Sequence, residues 1–354
     1  MSAPQLRWGL LGASTIAREW MLPAMRALGH EAVAVCSASE QRGARFAAEQ
    51  SIRNAYDDLE VFLADPAVEA VYISSTNELH EPHALAAAKA GKHVLCEKPL
   101  ALDLDAASRV LDACRQADVV LATNHHFRNG AWIRAARDAV RQGAIGTPQA
   151  ARISQALLLP PALRGWRLDT PARGAGAILD LTVHTADTLR FVLDAEIEQV
   201  IAASACQSLG RNGVEDAVMG AMRLSGEVLA SFYDAFNVPC AGSSLELHGS
   251  EGSITIAEAL DERLIANAVM RRQGGEQPLQ MDQAEDLYVY GLRRFAAAVA
   301  GEGSPAADGQ DGWCSLAVAL AVREAAHAGR TVSVPPLHSC KRGDVLTSDV
   351  GLTL

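Results

Sequence analysis

Short apolar runs alternate with helical patterns over the first third of the chain. RWGLLGA, beginning at Arg7, is a short apolar strand, and TIAREWMLPAMRALG carries apolar residues at helical spacing until Gly29. The alternation then repeats. EAVAVCS is a strand, SEQRGARFAAEQ a helix and AVEAVYISST a strand. HEPHALAAAKAG is a helix ended by Gly91, HVLCEK a strand, DLDAASRVLDACRQAD a helix and VVLATNHH a strand. Strands that are apolar almost throughout, each followed by a helix, imply a parallel, doubly wound sheet covered on both faces.

The grammar changes after WIRAARDAVRQGAIGTP, a helix closed by Gly143. QAARISQALLL, IEQVIAASACQSL, DAVMGAMRL, EVLASFYDAF, SSLELHGS and GSITIAEA follow as strands, several joined only by turns such as LSGEV and HGSEGS. Such spacing is antiparallel and predicts an α+β domain built on an open, mostly antiparallel sheet. One helix, AILDLTVHTADTLRFVL, interrupts it, and two late ones, AEDLYVYGLRRFAAAVAG and GWCSLAVALAVREAAHAG, are expected to return over the first domain. The fold class is therefore α/β followed by α+β, divided as residues 1–125, 126–334 and a tail, 335–354, without periodicity. The tail is expected to be loose or to pack on a neighbour as an arm.

Composition narrows the chemistry. With 354 residues, 49% hydrophobic and 21% charged, the chain has an ordinary globular balance for two domains. A net charge of -11 disfavours a nucleic-acid partner, which needs clustered Lys and Arg. No apolar run approaches the roughly 20 residues of a membrane span, and the N-terminus lacks a charged segment followed by a long apolar one. A cytoplasmic protein with no membrane partner is the expectation. Seven cysteines without C-x-x-C spacing read as reduced, mostly buried thiols, and adjacent His125 and His126 diverge on regular structure, so no metal is expected.

Gly12-Ala13-Ser14-Thr15-Ile16-Ala17 stands between the first strand and the first helix, where the G-x-G-x-x-G/A fingerprint of a dinucleotide fold belongs. Gly12 permits the tight turn and Ala17 is an allowed small residue. Ser14 replaces the glycine that lets backbone approach a pyrophosphate. A side chain there costs about 1–2 kcal/mol if the position needs positive φ. Its hydroxyl, helped by Thr15, would offset that by donating to phosphate. Alone, such a loop is equally an ordinary strand–helix turn. The end of the second strand says more, because an NAD site places Asp or Glu there to accept from the ribose. Here Ser37 is small and neutral, Ser39 follows, and Arg42 is within a helical turn to clasp a 2′-phosphate. NADP is thus favoured over NAD. Against it stand Glu40, able to swing toward a ribose, and a plain surface role for Arg42.

Two polar clusters fall at the carboxyl ends of later strands, where open parallel sheets bind ligands. One runs from Ser74 through Ser75, Thr76, Asn77 and Glu78 to His80, and the other is Cys96-Glu97-Lys98-Pro99. Charges at a central strand end are costly unless they hold something, although a structural Glu–Lys pair on the rim fits the same pattern. In the second domain Asp180 and His184 are spaced to share a helix face, with Asp187 placed to orient the ring. A buried stripe carrying Asp and His invites a functional reading, but an isolated pair of this kind is more often a structural hydrogen bond.

Together these stretches resemble the glucose–fructose oxidoreductase/inositol dehydrogenase/MocA family. The carriers are the fingerprint ending in Ile16-Ala17, TNELH, the strand running into Glu97-Lys98-Pro99, GAGAILDLTVHTADTLRFVL from Gly174 to Leu193, and ELHGSEGSI. The resemblance spans about residues 7–334. Within the family, RWGLLGASTIAREW, GKHVLCEKPLAL, TNHHFRN and PPALRGWRLD are similar to a bacterial member that uses NADPH. The resemblance implies a Rossmann domain holding NADP (NADPH) and reduction of a cyclic keto sugar, a small-molecule substrate. It places Lys98 beside the nicotinamide and the reacting carbonyl, and Asp180 and His184 on the sugar. From there the expected roles are His184 as proton donor, since an imidazole ordinarily titrates near neutrality, and Lys98 as the cation that stabilises the oxyanion. It also implies a cis Lys98–Pro99 bond. Asn124 falls with the cofactor set, and His125, His126 and Arg128 border the substrate cleft. Trp166 and Arg167 either cover sugar or nicotinamide or simply pack their loop. Glu215 and Asp216 either line the far side of the cleft or make structural pairs. Family analogy leaves a monomer or a homodimer. An NAD-linked sugar or inositol dehydrogenase and a catalytically silent dinucleotide sensor are the rival readings.

Overall fold

The parallel sheet grows outward from the first apolar run. In the computed structural model, which describes residues 5–261, 267–281 and 285–337, β1 (Arg7–Leu11) lies between β2 (Glu31–Cys36) and β4 (Ala70–Ile73). β3 (Asn54–Tyr56), β5 (His93–Cys96) and β6 (Leu121–Thr123) complete the order β3-β2-β1-β4-β5-β6, all parallel. The order reverses between β1 and β4, and the crevice beyond that point is where such sheets take a ligand. β1 and β4 are buried almost end to end, which is why they read as unbroken apolar runs.

Helices α1 (Leu22–Ala27), α2 (Glu40–Gln50), α3 (Leu59–Ala64), α4 (His80–Lys89) and α5 (Leu104–Gln116) connect these strands. A π-helical turn, Ala17–Met21, precedes α1. Ser39, Asp58 and Asp103 accept backbone N–H groups at the starts of α2, α3 and α5, the usual stabilisation of orphan donors. β3 and α3 were not expected from the sequence, because elements of three and six residues show no period.

Among the described residues the second sheet has nine strands: β7 (Pro148–Leu158), β8 (Ile197–Ala205), β9 (Ala217–Leu224), β10 (Leu229–Ala235), β11 (Asn237–Gly249), β12 (Gly252–Ala257), β13 (Asn267–Arg272), β14 (Gly275–Pro278) and β15 (Val332–Ser333). Their order is β14-β13-β12-β11-β7-β10-β9-β8-β15, and the β7–β10 pair alone is parallel. β14 is exposed throughout and β13 fully buries only Ala268, so this hairpin escapes an apolar-pattern reading. α6 (Ala131–Arg141), a short α7 (Trp166–Asp169) and α8 (Val183–Leu193) belong to this half, and α8 is entered through a second π-turn, Ile178–Thr182. Residues 335–337 continue past β15, and the rest of the tail lies outside the described residues.

Of the two late helices, α9 (Leu287–Val299) covers the first sheet as expected: Leu287, Tyr288, Leu292 and Phe295 share a core with Trp8, Leu10, Met21 and Tyr72. α10 (Gly309–Ala328) corrects the expectation in part. Its first turns sit on the first domain, where Trp313 Nε1 donates to Ser108 Oγ at 3.0 Å, but most of its length packs along β8 and α8. It wedges between the halves.

A buried ionic cluster fixes the same junction. Arg128 donates through Nε and Nη2 to the two oxygens of Asp187 on α8, and through Nη1 to Asp311 on α10 at 2.7 Å. Arg190 joins from α8 at 3.3 Å from Asp311. Cys36, Cys96 and Cys114 are buried free thiols, whereas Cys206 and Cys240 are exposed, so burial holds for only part of the cysteine set.

Candidate active site

The dinucleotide loop is built around Gly12, whose φ of +114° belongs to glycine. A Cβ there would lie 2.9 Å from Ser74 O and 3.0 Å from Ser75 N. Ala13, Ser14, Thr15 and Ile16 follow, all partly exposed on the rim. Ser14 does not have a positive φ, so the strain considered for it does not arise. Its hydroxyl instead accepts Ala17 N at 3.1 Å and donates to Ser74 Oγ at 2.7 Å. Serine here caps the helix and ties β1 to β4.

At the end of β2, Ser37 is buried and Ser39 is spent on capping α2. Arg42 extends back over the strand end, its Nε donating to Ser37 Oγ at 3.1 Å, while Glu40 stays exposed. A guanidinium is therefore held where an NAD site carries a carboxylate. Beyond β4 the polar residues bind one another. Ser75 Oγ lies 3.1 Å from His83 Nδ1, Thr76 Oγ1 donates to Glu78 at 2.8 Å, and Asn77 Nδ2 donates to Gly174 O at 3.2 Å. His80, 1% exposed, sits between Pro99 O at 2.7 Å and Ser75 O at 3.1 Å, and burial lowers its pKa. It clasps the two strand-end loops together.

Glu97, at the end of β5, is buried, and one oxygen accepts from both Tyr72 Oη and Asn124 Nδ2 at 2.6 Å. Burial raises its pKa against the pull of these donors. The next residue turns outward, and the Lys98–Pro99 bond is cis, as the resemblance implies. Lys98 Nζ donates to Asp180 O at 2.8 Å and Asp180 Oδ1 at 2.6 Å. The strand end of the first sheet thus meets the π-turn of the second domain in a partly exposed pair, 12% and 17% accessible. Arg167 Nε lies 3.5 Å from the other Asp180 oxygen, with its guanidinium 4.7 Å above the Trp166 ring. Burial would raise the pKa of Asp180, but the charges of Lys98 and Arg167 outweigh it and hold the carboxyl below its ordinary value.

His184 enters from α8. It is 3% exposed, packed edge-on against His126 at 4.9 Å, Phe127 at 4.7 Å and His125 at 5.8 Å between ring centres. Its Nδ1 is buried and, among the described residues, has no hydrogen-bond partner. Burial first, then the charge of Lys98, lowers its pKa well below the ordinary value, so the ring is neutral at neutral pH. Asp187, expected to orient this ring, is taken up by Arg128. His125 is also interior: Ser315 Oγ donates to Gly312 O at 3.1 Å and so accepts from His125 Nε2 at 2.7 Å. His126 and Arg128 are buried with it.

Two acidic groups shape the second-domain half. Glu215 accepts Ile178 N at 3.1 Å and lies where a Cβ on Gly176, at φ +109°, would meet its Oε1 at 2.1 Å. Asp216 gathers the N–H groups of Gln207, Ser208, Leu209 and Gly210 and organises that loop. Asp234 on β10 escaped the sequence reading. It is fully buried, and burial pushes its carboxyl up to about 7. Its parity with Phe232 and Phe236, both facing the core, is the signal that would have found it. Among the described residues no cluster of His, Cys, Asp and Glu is placed to hold a metal, and no helix is long and apolar enough to cross a membrane.

Known proteins resemble this chain in sequence and in fold. A family model described as an oxidoreductase family with an NAD-binding Rossmann fold matches residues 6–125, and the GFO/IDH/MocA C-terminal domain matches residues 133–255. The chain is 48% identical to 1,5-anhydro-D-fructose reductase of Ensifer adhaerens over 93% of its own length and 98% of the relative's. It is 28% identical to myo-inositol 2-dehydrogenase of Thermotoga maritima, over 85% of this chain and 90% of that one. The crystal structure of aldose-aldose oxidoreductase from Caulobacter crescentus complexed with glycerol superposes with a TM-score of 0.86 at 24% identity, covering 93% of this chain and 100% of that one, a likeness of fold.

Proposed function

The chain belongs to the GFO/IDH/MocA family of oxidoreductases, and from that premise we propose that it reduces the C2 ketone of 1,5-anhydro-D-fructose to 1,5-anhydro-D-mannitol with NADPH. The protein is an oxidoreductase with a nicotinamide-dinucleotide fold, and its relatives act on sugars. The observation that carries the finer reading is the direct contact of Lys98, at a strand end of the first sheet, with Asp180 of the second domain.

The chain's own groups suit an NADP molecule. The Gly12 turn leaves no room for a side chain on its inner face, the helix that follows offers its N-terminus to phosphate, and Arg42 over Ser37 offers a cation for a 2′-phosphate. When bound, the nicotinamide supplies the hydride. Lys98 stabilises the negative charge that develops on the ketone oxygen. Asp180, kept ionised by Lys98 and Arg167, accepts a hydrogen bond from a sugar hydroxyl. His184 supplies the proton that completes the alcohol.

Because His184 is neutral in the free protein, proton donation requires charging a group whose pKa is depressed. The charged fraction falls about tenfold per pH unit above that pKa. The kcat/KM for ketone reduction therefore falls as pH rises from 6 to 8, and H184N flattens the profile while lowering it. H184A with native turnover and the native slope would rule out this role. The neutral imidazole is also the form that accepts a proton, so the same site favours alcohol oxidation with NADP as pH rises, and assay in both directions resolves the two.

Cofactor choice is tested at the β2 end. Ser37→Asp places a carboxylate against the 2′-phosphate, and Arg42→Ala removes its clasp. A charged hydrogen bond contributes about 1.5–3 kcal/mol, so each change lowers the ratio of kcat/KM for NADPH over NADH by roughly 10–100-fold. An unchanged ratio in both variants contradicts the NADP assignment. The activity itself is followed by nicotinamide absorbance with 1,5-anhydro-D-fructose beside other keto sugars. NADPH binding without turnover of any of them favours the sensor reading instead.

A further inference from the structure

β10 carries an acid where its neighbours in parity are phenylalanines. Asp234 is 0% exposed, and among the described residues no lysine or arginine pairs with it. One of its oxygens accepts from Thr182 Oγ1 at 2.8 Å and the other from Thr185 Oγ1 at 2.8 Å. Thr182 is the last residue of the π-turn Ile178–Thr182, and Thr185 lies in the first turn of α8. A π-turn widens the helix locally, so residues on either side of it are offset differently from the same pair on a regular α-helix. Asp180 lies within this turn, and His184 lies between the two threonines. The buried carboxyl therefore staples the boundary between the π-turn and the α-helix, and it does so from the rigid centre of the second sheet, where β10 pairs with β7 and β9.

Apolar residues would fill this space without the desolvation cost of an acid. What they would lack is direction. Two hydrogen bonds donated to one planar group fix both threonine hydroxyls, and with them the rotation of the helix about its axis. We propose that Asp234 is the positioning residue of the candidate site, setting the angular offset between Asp180 and His184 through the hydroxyls of Thr182 and Thr185. Asp234 itself touches neither substrate nor cofactor. Without the staple the turn is free to relax toward a regular helix, which rotates Asp180 relative to both His184 and Lys98.

The inference rests on the reading of Asp180 and His184 as the groups that handle the sugar. Thr182→Val and Thr185→Val keep the shape and remove the hydroxyl, whereas Thr182→Ser and Thr185→Ser keep the hydroxyl. In the full-length protein each Val variant should lose at least tenfold in kcat for the keto sugar that the native protein turns over. The matching Ser variant should stay within threefold of native, and the dissociation constant for NADPH should change less than twofold in all four. A loss equal in Val and Ser variants means packing alone matters and overturns the proposal. Backbone amide exchange supplies a readout that needs no substrate: residues 178–184 exchange faster in the Val variants, while β1 and α4 exchange as in the native protein. A native protein that reduces no keto sugar would defeat the proposed function, yet the exchange comparison would still decide this one. Val variants with native exchange across residues 178–184 would defeat it.

Discussion

Replacing Lys98 by methionine lowers kcat/KM for ketone reduction by about 10²–10³-fold, the usual consequence of removing one preorganised donor to a developing oxyanion. Two effects reinforce each other. The ammonium that meets the second domain is lost, together with its contacts to Asp180 O at 2.8 Å and Oδ1 at 2.6 Å. The cation left beside Asp180 among the described residues is then the more distant Arg167, 3.5 Å away. Since burial opposes ionisation of Asp180, its pKa rises when Lys98 is gone, and the carboxyl becomes a poorer acceptor for a sugar hydroxyl. Lys98→Arg keeps the charge but not the compact geometry, so it recovers only part of the loss. The measurement is steady-state kinetics beside NADPH affinity, and a loss below threefold in the methionine variant would contradict the assignment.

Arg128→Met destabilises the fold by about 3–5 kcal/mol, because it strands a buried carboxylate instead of removing an ion pair whole. The guanidinium is 4% exposed and satisfies Asp187, Asp311 and Ala306 O at once. Asp311 still has Arg190 afterwards, but the cation nearest Asp187 is gone. Burial already pushes Asp187 up to about 6 in the presence of Arg128, and its loss drives that pKa higher. A group whose folded pKa is raised stabilises the protein below its unfolded value of 3.8 and loses that contribution as pH climbs to the folded value. The deficit of Arg128→Met is therefore larger at pH 8 than at pH 5. Urea unfolding at both pH values measures it. Adding Asp187→Leu should return part of the stability, since no stranded charge is left. A single variant no less stable than the double one would contradict this account.

The parts of the site legible in the sequence were those whose signal is local. Gly12, Ser14 and Arg42 stand next to a strand end that alternation reveals, and Lys98 stands out as a charge after an apolar strand. Asp180 and His184 show helical spacing, but not the π-turn between the preceding loop and α8, because a widened turn leaves no mark on apolar periodicity. Asp187 illustrates the limit. Its spacing from His184 suited a ring-orienting role, yet Arg128, 59 residues away, claims it. Asp311 and Ser315 carried no local sign of taking part, and Asp234 showed only its parity with two core phenylalanines.

What the sequence determined by itself was the pair of sheets, one parallel and one mostly antiparallel, and most of the longer strands and helices in them, because periods of two and of 3.6 residues are written in consecutive side chains and burial enforces them. It also marked Gly12 as a tight strand–helix turn and a candidate dinucleotide loop, since such a turn calls for a residue without a Cβ. Only the tertiary structure decided that Lys98 and Asp180, 82 residues apart, share a hydrogen bond. Only it decided that a cluster of buried charges binds the two halves, and that burial and the nearby Lys98 keep His184 neutral. These depend on which groups the packed interior brings within a few ångströms and strips of water, and no short stretch of sequence contains that information.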